Sequence, residues 1–219
     1  MRRITLCFIL GLGLAATVET VYSQAAIEGR VQLPKPAADR ILNQRYQPSA
    51  EIAIGPVDPP TAVVYLEGNF PSVQAANAKP DLHMAQKNIN FLPNLMAVQV
   101  GSTVDFPNLD DTYHNVFSYS KTKRFDLGRY RKGEKPGVIL FDKPGVVTLH
   151  CEIHGTMRGT ILVLDTPYFQ KTDEHGGFRL ESLPTGRYLL KAWVSEDDVR
   201  VQSVELKAGA TIHVNFPAK

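Results

Sequence analysis

The chain has 219 residues, 24 Lys and Arg against 22 Asp and Glu for a formal charge of +2, and two cysteines, Cys7 and Cys151. That balance excludes the strong basic footprint of a nucleic-acid binder. The length allows one large or two small domains.

The N-terminus opens Met1-Arg2-Arg3, then runs without a charge from Ile4 to Val18, and reaches small residues at Ser23-Gln24-Ala25. A basic start, a short apolar run and a small-residue cut site predict a signal peptide over 1–25, cleaved after Ala25. The run is too short to be a convincing membrane span, although a retained N-terminal anchor helix is the competing reading. No small-residue lipobox precedes Cys7, which argues against a lipoprotein anchor. Removing 1–25 takes away Arg2, Arg3 and Glu19 and leaves a net charge of +1. The expectation is a periplasmic or secreted protein with no membrane span in the mature chain. Its one remaining thiol, Cys151, is then intermolecular, reactive or held by a metal.

Helix signals are scarce: a short helix is expected over 37–44, before the proline-rich stretch 47–60. Strand-like runs recur at 27–33, 61–67, 96–100, 103–106, 114–119, 137–141, 146–151 and 160–164. Four more follow at 177–180, 186–194, 199–206 and 211–216. Most alternate apolar and polar residues between Gly, Pro, Asn or Asp, the pattern of half-buried strands. Turns are expected at Lys143-Pro144-Gly145, at Leu183-Pro184-Thr185-Gly186 and at Lys207-Ala208-Gly209. Evenly spaced short strands predict an all-β sandwich or barrel.

A composition break falls near Asp165-Thr166-Pro167. Beyond it, Thr172-Asp173 leads through Gly176-Gly177 to Phe178 and Leu180, and Leu183-Pro184-Thr185-Gly186 leads to Tyr188 and Leu190. This T-D-x-x-G-x-F-x-L pattern, followed by L-P-x-G-x-Y-x-L, resembles the carboxypeptidase regulatory-like domain, a small transthyretin-like β-sandwich. The resemblance implies two early strands, matched by 27–31 and 62–68. Residues 26–79 plus 165–219 are therefore expected to form a discontinuous sandwich into which 80–164 is inserted. Three units in tandem is the plainer alternative, but 55 C-terminal residues alone make a marginal core.

The inserted segment carries the chemistry. Val146 to Gly159 ends one strand, turns and enters another, placing Cys151, His154 and Met157 in a C-x-x-H-x-x-M spacing. Thiolate, imidazole and thioether are soft or borderline donors, and two His with one Cys and a weak axial Met define a blue-copper electron-transfer site. The second imidazole must come from elsewhere, and His114 supplies it at the start of a strand. Zinc would want a better fourth ligand than Met, haem attachment needs C-x-x-C-H, and a binuclear copper centre needs a second cysteine. A buried thiol packed with a core Met, or a nucleophile with His154 as base, explains less of this ordered set.

With those residues in view, 86–164 resembles the plastocyanin/amicyanin branch of the cupredoxins, a Greek-key sandwich with type 1 copper. Phe106-Pro107-Asn108, then His114-Asn115-Val116, then Cys151, His154, Met157, Gly159, Ile161 and Val163 follow that family's order, and the short His-to-Met spacing is amicyanin-like. The resemblance implies one copper on His114, Cys151, His154 and Met157, and implies that Asn115 ties the two ligand loops together. It also implies a single-electron carrier rather than an enzyme, with a c-type cytochrome or a quinoprotein dehydrogenase as partner. Copper delivery is the alternative, as is an envelope binding module with a secondary copper site.

Two residues depart from the family pattern. Glu152 sets a negative charge beside the thiolate. His150 replaces a frequent aromatic and should point away from the metal, as a surface histidine or a lateral docking residue. The cations of 121–135 exceed the acids by five. Such a run is a solvated face or a steering patch for an acidic partner. His83, His175 and His213 stand in segments with no partner at ligand spacing.

Overall fold

The computed structural model describes residues 24–35, 58–68, 70, 82–134 and 137–219. The helix expected over 37–44 lies outside the described residues, as do residues 1–23 of the expected signal. Among the described residues the secondary structure is all β. Among those residues no helix is long and apolar enough to cross a membrane.

In chain order the strands are β1 (Ala25–Val31), β2 (Val63–Glu67), β3 (Leu82–His83), β4 (Ala85–Lys87), β5 (Asn90–Leu92), β6 (Leu95–Gln99), β7 (Ser102–Asp105) and β8 (His114–Tyr119). They continue with β9 (Arg124–Tyr130), β10 (Ile139–Phe141), β11 (Gly145–His150), β12 (Arg158–Leu164), β13 (Phe169–Lys171), β14 (Gly177–Leu183), β15 (Gly186–Ser195), β16 (Asp198–Leu206) and β17 (Thr211–Phe216). Every run read as a strand is a strand, with ends moved by a few residues. β1 begins at Ala25, which is buried and stands opposite Leu183. The strand that charge had disguised is β9: Phe125, Leu127 and Tyr130 turn inward while Arg124, Asp126 and Arg129 face solvent. An edge strand carries such charges readily, because they blunt edge-to-edge pairing.

The strands form stacked layers. The first sheet runs β14-β1-β17, the second β13-β2-β15-β16, the third β6-β12-β11-β8-β9 and the fourth β10-β7-β3, with β4 and β5 as a separate hairpin. Apolar clusters fill the spaces between the sheets. Ile27, Val64, Leu66, Leu190, Ala192 and Phe216 pack between the first and second, so one core draws on both ends of the chain. Phe91, Phe106, Val116, Phe141, Leu149 and Ile161 pack under the third, together with Cys151 and Met157.

A smaller cluster of Val63, Leu95, Leu162, Leu164 and Trp193 joins the second sheet to the third. Side chains alternate across a strand. Val64 and Ala192 therefore face one core while their neighbours Val63 and Trp193 face the other, so the second sheet makes apolar contacts on both faces there, while Leu189 and Val201 stay exposed. The third sheet positions the functional residues. β11 and β12 form an antiparallel hairpin whose register runs to His150 opposite Arg158, so residues 151–157 are its connecting loop. β8 lies beside β11 in the same sheet and starts at His114, at that same end.

Candidate metal centre

One ligand atom each from His114, Cys151 and His154 come within 4.8 Å of one another. The two imidazoles meet through their Nδ1 atoms at 3.0 Å, and Cys151 Sγ stands 3.9 Å from His154 Nδ1. An ion bound tetrahedrally at about 2.0 Å by nitrogen and about 2.3 Å by thiolate sulfur requires nitrogens about 3.3 Å apart and a sulfur about 3.5 Å from each. The donor set fits one ion. His114 is fully buried, and Cys151 and Met157 are buried in one apolar cluster. His154 is half-buried. The loop that brings them together is tight: the Met157 N–H donates to the His154 carbonyl at 2.9 Å.

Asn115 spans the two ligand segments. Its Oδ1 accepts the Glu152 N–H at 3.0 Å, and its Nδ2 donates to Asp126 Oδ1 at 2.8 Å. Glu152, the charge beside the thiolate, is answered by Arg129, whose Nε donates to it at 2.6 Å. Both side chains are exposed, so this pair is screened and of small energetic worth.

Asp110 is the site residue that sequence reasoning missed. Its Oδ2 accepts from His114 Nε2 at 2.8 Å. A carboxylate only accepts, so the proton sits on Nε2 and the Nδ1 lone pair faces Cys151 and His154. Asp110 lies four residues before His114 in a turn-rich loop, and nothing in the sequence separates it from its neighbour Asp111. Asp111 faces solvent and pairs with Lys132 at 3.1 Å.

The electrostatics favour anionic sulfur among neutral or cationic rings. Burial would raise the Cys151 thiol. The His114 side chain and the N–H groups of Asn115, His154 and Ile153 outweigh it and hold the thiol below its ordinary value. Burial would lower His114, but Cys151 and Asp110 hold it above the usual imidazole value. His154 is held low by burial and by the neighbouring His114 charge. A depressed thiol and convergent imidazoles are what a metal needs, because ligands bind deprotonated.

His150 does point away from this cluster. Its ring stacks on Phe117 with centroids 5.5 Å apart, and Arg158 Nη1 lies 3.1 Å from its Nδ1. Phe117 leads on to the exposed Tyr119 at 5.2 Å. The basic run is partly neutralised, Lys123 pairing with Asp142, Lys132 with Asp111 and Arg129 with Glu152. Arg131 lies over the Tyr113 ring at 4.4 Å. His83, His175 and His213 pair with Asp105, Glu174 and Glu28 respectively and do not join the site.

No protein-family profile matches the chain, and no curated protein is significantly similar to it. Solved structures are similar over part of it. A copper-containing nitrite reductase from Thermus scotoductus SA-01 is 27% identical at TM-score 0.37, over 39% of this chain and 22% of that one. A purple cupredoxin from Nitrosopumilus maritimus is 22% identical at TM-score 0.34, over 38% of this chain and all of that one. An oxidized mutant of amicyanin is 25% identical at TM-score 0.36, over 41% of this chain and 88% of that one. This chain spans about a fifth of the nitrite reductase's length, and its structural neighbours are cupredoxins matched over a minority of its residues.

Proposed function

We propose that the protein is an exported single-electron carrier with one type 1 copper held by His114, Cys151, His154 and Met157. The observation that carries this reading is the convergence of two imidazole nitrogens and one cysteine sulfur within 4.8 Å, at a buried spot backed by Met157. Bound there, copper would supply a one-electron couple. The chain's own residues do the rest. Asp110 and Asn115 hold the ligand segments before metal arrives, so little reorganisation is needed. The apolar cluster around Cys151 and Met157 excludes water. Backbone N–H groups directed at the sulfur offset its charge and so tune its donor strength.

His154 is the ligand nearest solvent. The loops carrying the ligands also expose Leu109, Tyr113 and Ile153, at 45%, 43% and 39%. An apolar surface of this kind suits brief docking of a c-type cytochrome or a quinoprotein dehydrogenase, in the periplasm or outside the cell. The site calls for electron exchange and no substrate pocket, so we infer a carrier and not an enzyme. In the same reading, 80–164 forms the copper sandwich, and 26–79 with 165–219 forms the transthyretin-like one.

The test is direct. Purified protein loaded with Cu(II) should turn intensely blue with narrow hyperfine splitting, and Cys151→Ala should bleach it. The loaded protein should also exchange electrons with a c-type cytochrome in stopped flow. A colourless protein that binds zinc, or that releases Cu(I) readily to a chelator, would replace this reading with metal delivery or storage.

A further inference from the structure

The β4–β5 hairpin contains an anomaly. Lys87 pairs with Asn90, so Asn88 and Ile89 form a two-residue turn. Both have positive φ, 53° and 57°, the signature of a type I′ turn. Asn tolerates that region, but a β-branched residue there is a true outlier, and Gly is the favoured second residue. Ile89 is held in place from two sides. Its side chain is only 4% exposed and belongs to the apolar cluster that contains Cys151 and Met157. Its backbone N–H and that of Asn88 converge on one carboxylate. Asn88 N–H donates to Asp110 Oδ1 at 2.7 Å, and Ile89 N–H donates to Asp110 Oδ2 at 3.0 Å.

The same Asp110 holds His114 Nε2–H. Further bonds stitch the hairpin to this loop: Leu109 N–H donates to the Gln86 carbonyl at 2.9 Å, and Gln86 N–H donates to the Pro107 carbonyl at 2.9 Å. On its other side, Phe91 of β5 lies against Gly159. A Cβ built on that glycine would stand 3.1 Å from Phe91 Cβ, two residues beyond Met157. The hairpin therefore braces the strand that follows Met157 and the loop that precedes His114.

We propose that the Asn88–Ile89 turn is a positioning element for His114. Its two N–H groups orient Asp110, and Asp110 locks the imidazole with Nε2 protonated and Nδ1 free. Ile89 is retained despite its conformation because its buried side chain seats the turn at the height where both N–H groups meet the carboxylate. The purpose rests on the copper reading, but the geometry and its test do not.

A merely connecting turn and a positioning turn respond differently to Ile89→Gly. Loss of the buried Ile89 side chain lowers stability in either case, but glycine suits the I′ conformation, so with a plain connector the His114 tautomer would not move. A positioning element would lose its seat. The measurement is side-chain 15N NMR on the metal-free full chain at mildly alkaline pH. Wild type should show His114 as one tautomer, protonated on Nε2, with slow exchange of that proton. Ile89→Gly should mix the two tautomers and speed exchange ~10-fold, the factor expected for loss of about one hydrogen bond. Asn88→Gly, which keeps both donors and the seat, should match wild type.

Asp110→Ala, which removes the acceptor, should reproduce the Ile89→Gly result, and Ile89→Ala, which keeps both N–H donors but trims the seat, tests the turn if Ile89→Gly does not fold. An unchanged single tautomer in Asp110→Ala, or in a folded Ile89→Gly or Ile89→Ala, would overturn the proposal. Wild-type protein that shows the stated tautomer yet stays colourless with Cu(II) would remove the copper reading and leave the positioning role standing.

Discussion

Replacing Asn115 by Ala tests how the ligand segments are held together. The side chain is 1% exposed and makes two bonds. One is neutral, accepted from Glu152 N–H at 3.0 Å; the other is charge-assisted, donated to Asp126 at 2.8 Å. A neutral bond contributes about 0.5–1.5 kcal/mol net and one to a charged group about 1.5–3. Their joint loss should cost about 2–4 kcal/mol. For a chain of this size each kcal/mol lowers Tm by about 2–4 °C, so calorimetry on the metal-free protein should show a fall of roughly 5–15 °C. Loosening the residue after Cys151 should also weaken copper binding about 10–100-fold, the usual effect of losing a group that orients a ligand. Competition with a Cu(II) chelator would read that change. Asn115→Asp separates the two bonds, because it keeps the acceptor for Glu152 but sets like charges against Asp126. A variant Asn115→Ala that melts within a degree or two of wild type and holds copper as tightly would refute the account.

Three further outcomes follow from the packing and charge around the site. Trp193 is the only tryptophan in the chain and lies in the cluster joining the second and third sheets. Trp193→Ala should cost about 3–5 kcal/mol and split a single calorimetric transition into two; one unshifted transition would show that the layers are not coupled there. Gly159→Ala places a methyl 3.1 Å from Phe91 Cβ and 3.2 Å from Met84 Sδ, so denaturant titration should show a loss of about 1–3 kcal/mol from overpacking, and a neutral result would mean that the hairpin yields freely. His150 is held below the ordinary imidazole value by burial and then by Arg158. On acidification the unfolded chain takes up a proton that the native ring resists, so stability falls as pH drops through about 6.5. His150→Phe should flatten the urea midpoint between about pH 7 and 5, and an unchanged slope would remove His150 from that dependence.

Strand positions were legible because burial on one face imposes a period of two, and Gly, Pro and Asn mark where it stops. β9 escaped because an edge strand tolerates Arg124, Asp126 and Arg129 on its open face, which disguises the period as a charge run. The candidate ligands His114, Cys151, His154 and Met157 were nameable from spacing and donor chemistry, since soft and borderline donors at short intervals are rare by chance. Asp110 was not, because two adjacent acids in a loop look alike until the fold turns one toward His114 and leaves the other in solvent. Ile89 was less legible still: its role depends on a turn conformation its own residue type disfavours, and only tertiary contact imposes it. The sequence by itself determined which residues could bind a metal and where the longer alternating strands run, both of which are local properties. Tertiary structure alone decided which N–H groups meet which carboxylate, which charge answers Glu152, and that the second sheet packs through Val63 and Trp193 as well as through Val64 and Ala192. Those outcomes depend on residues far apart in the chain, which packing and hydrogen bonding bring together.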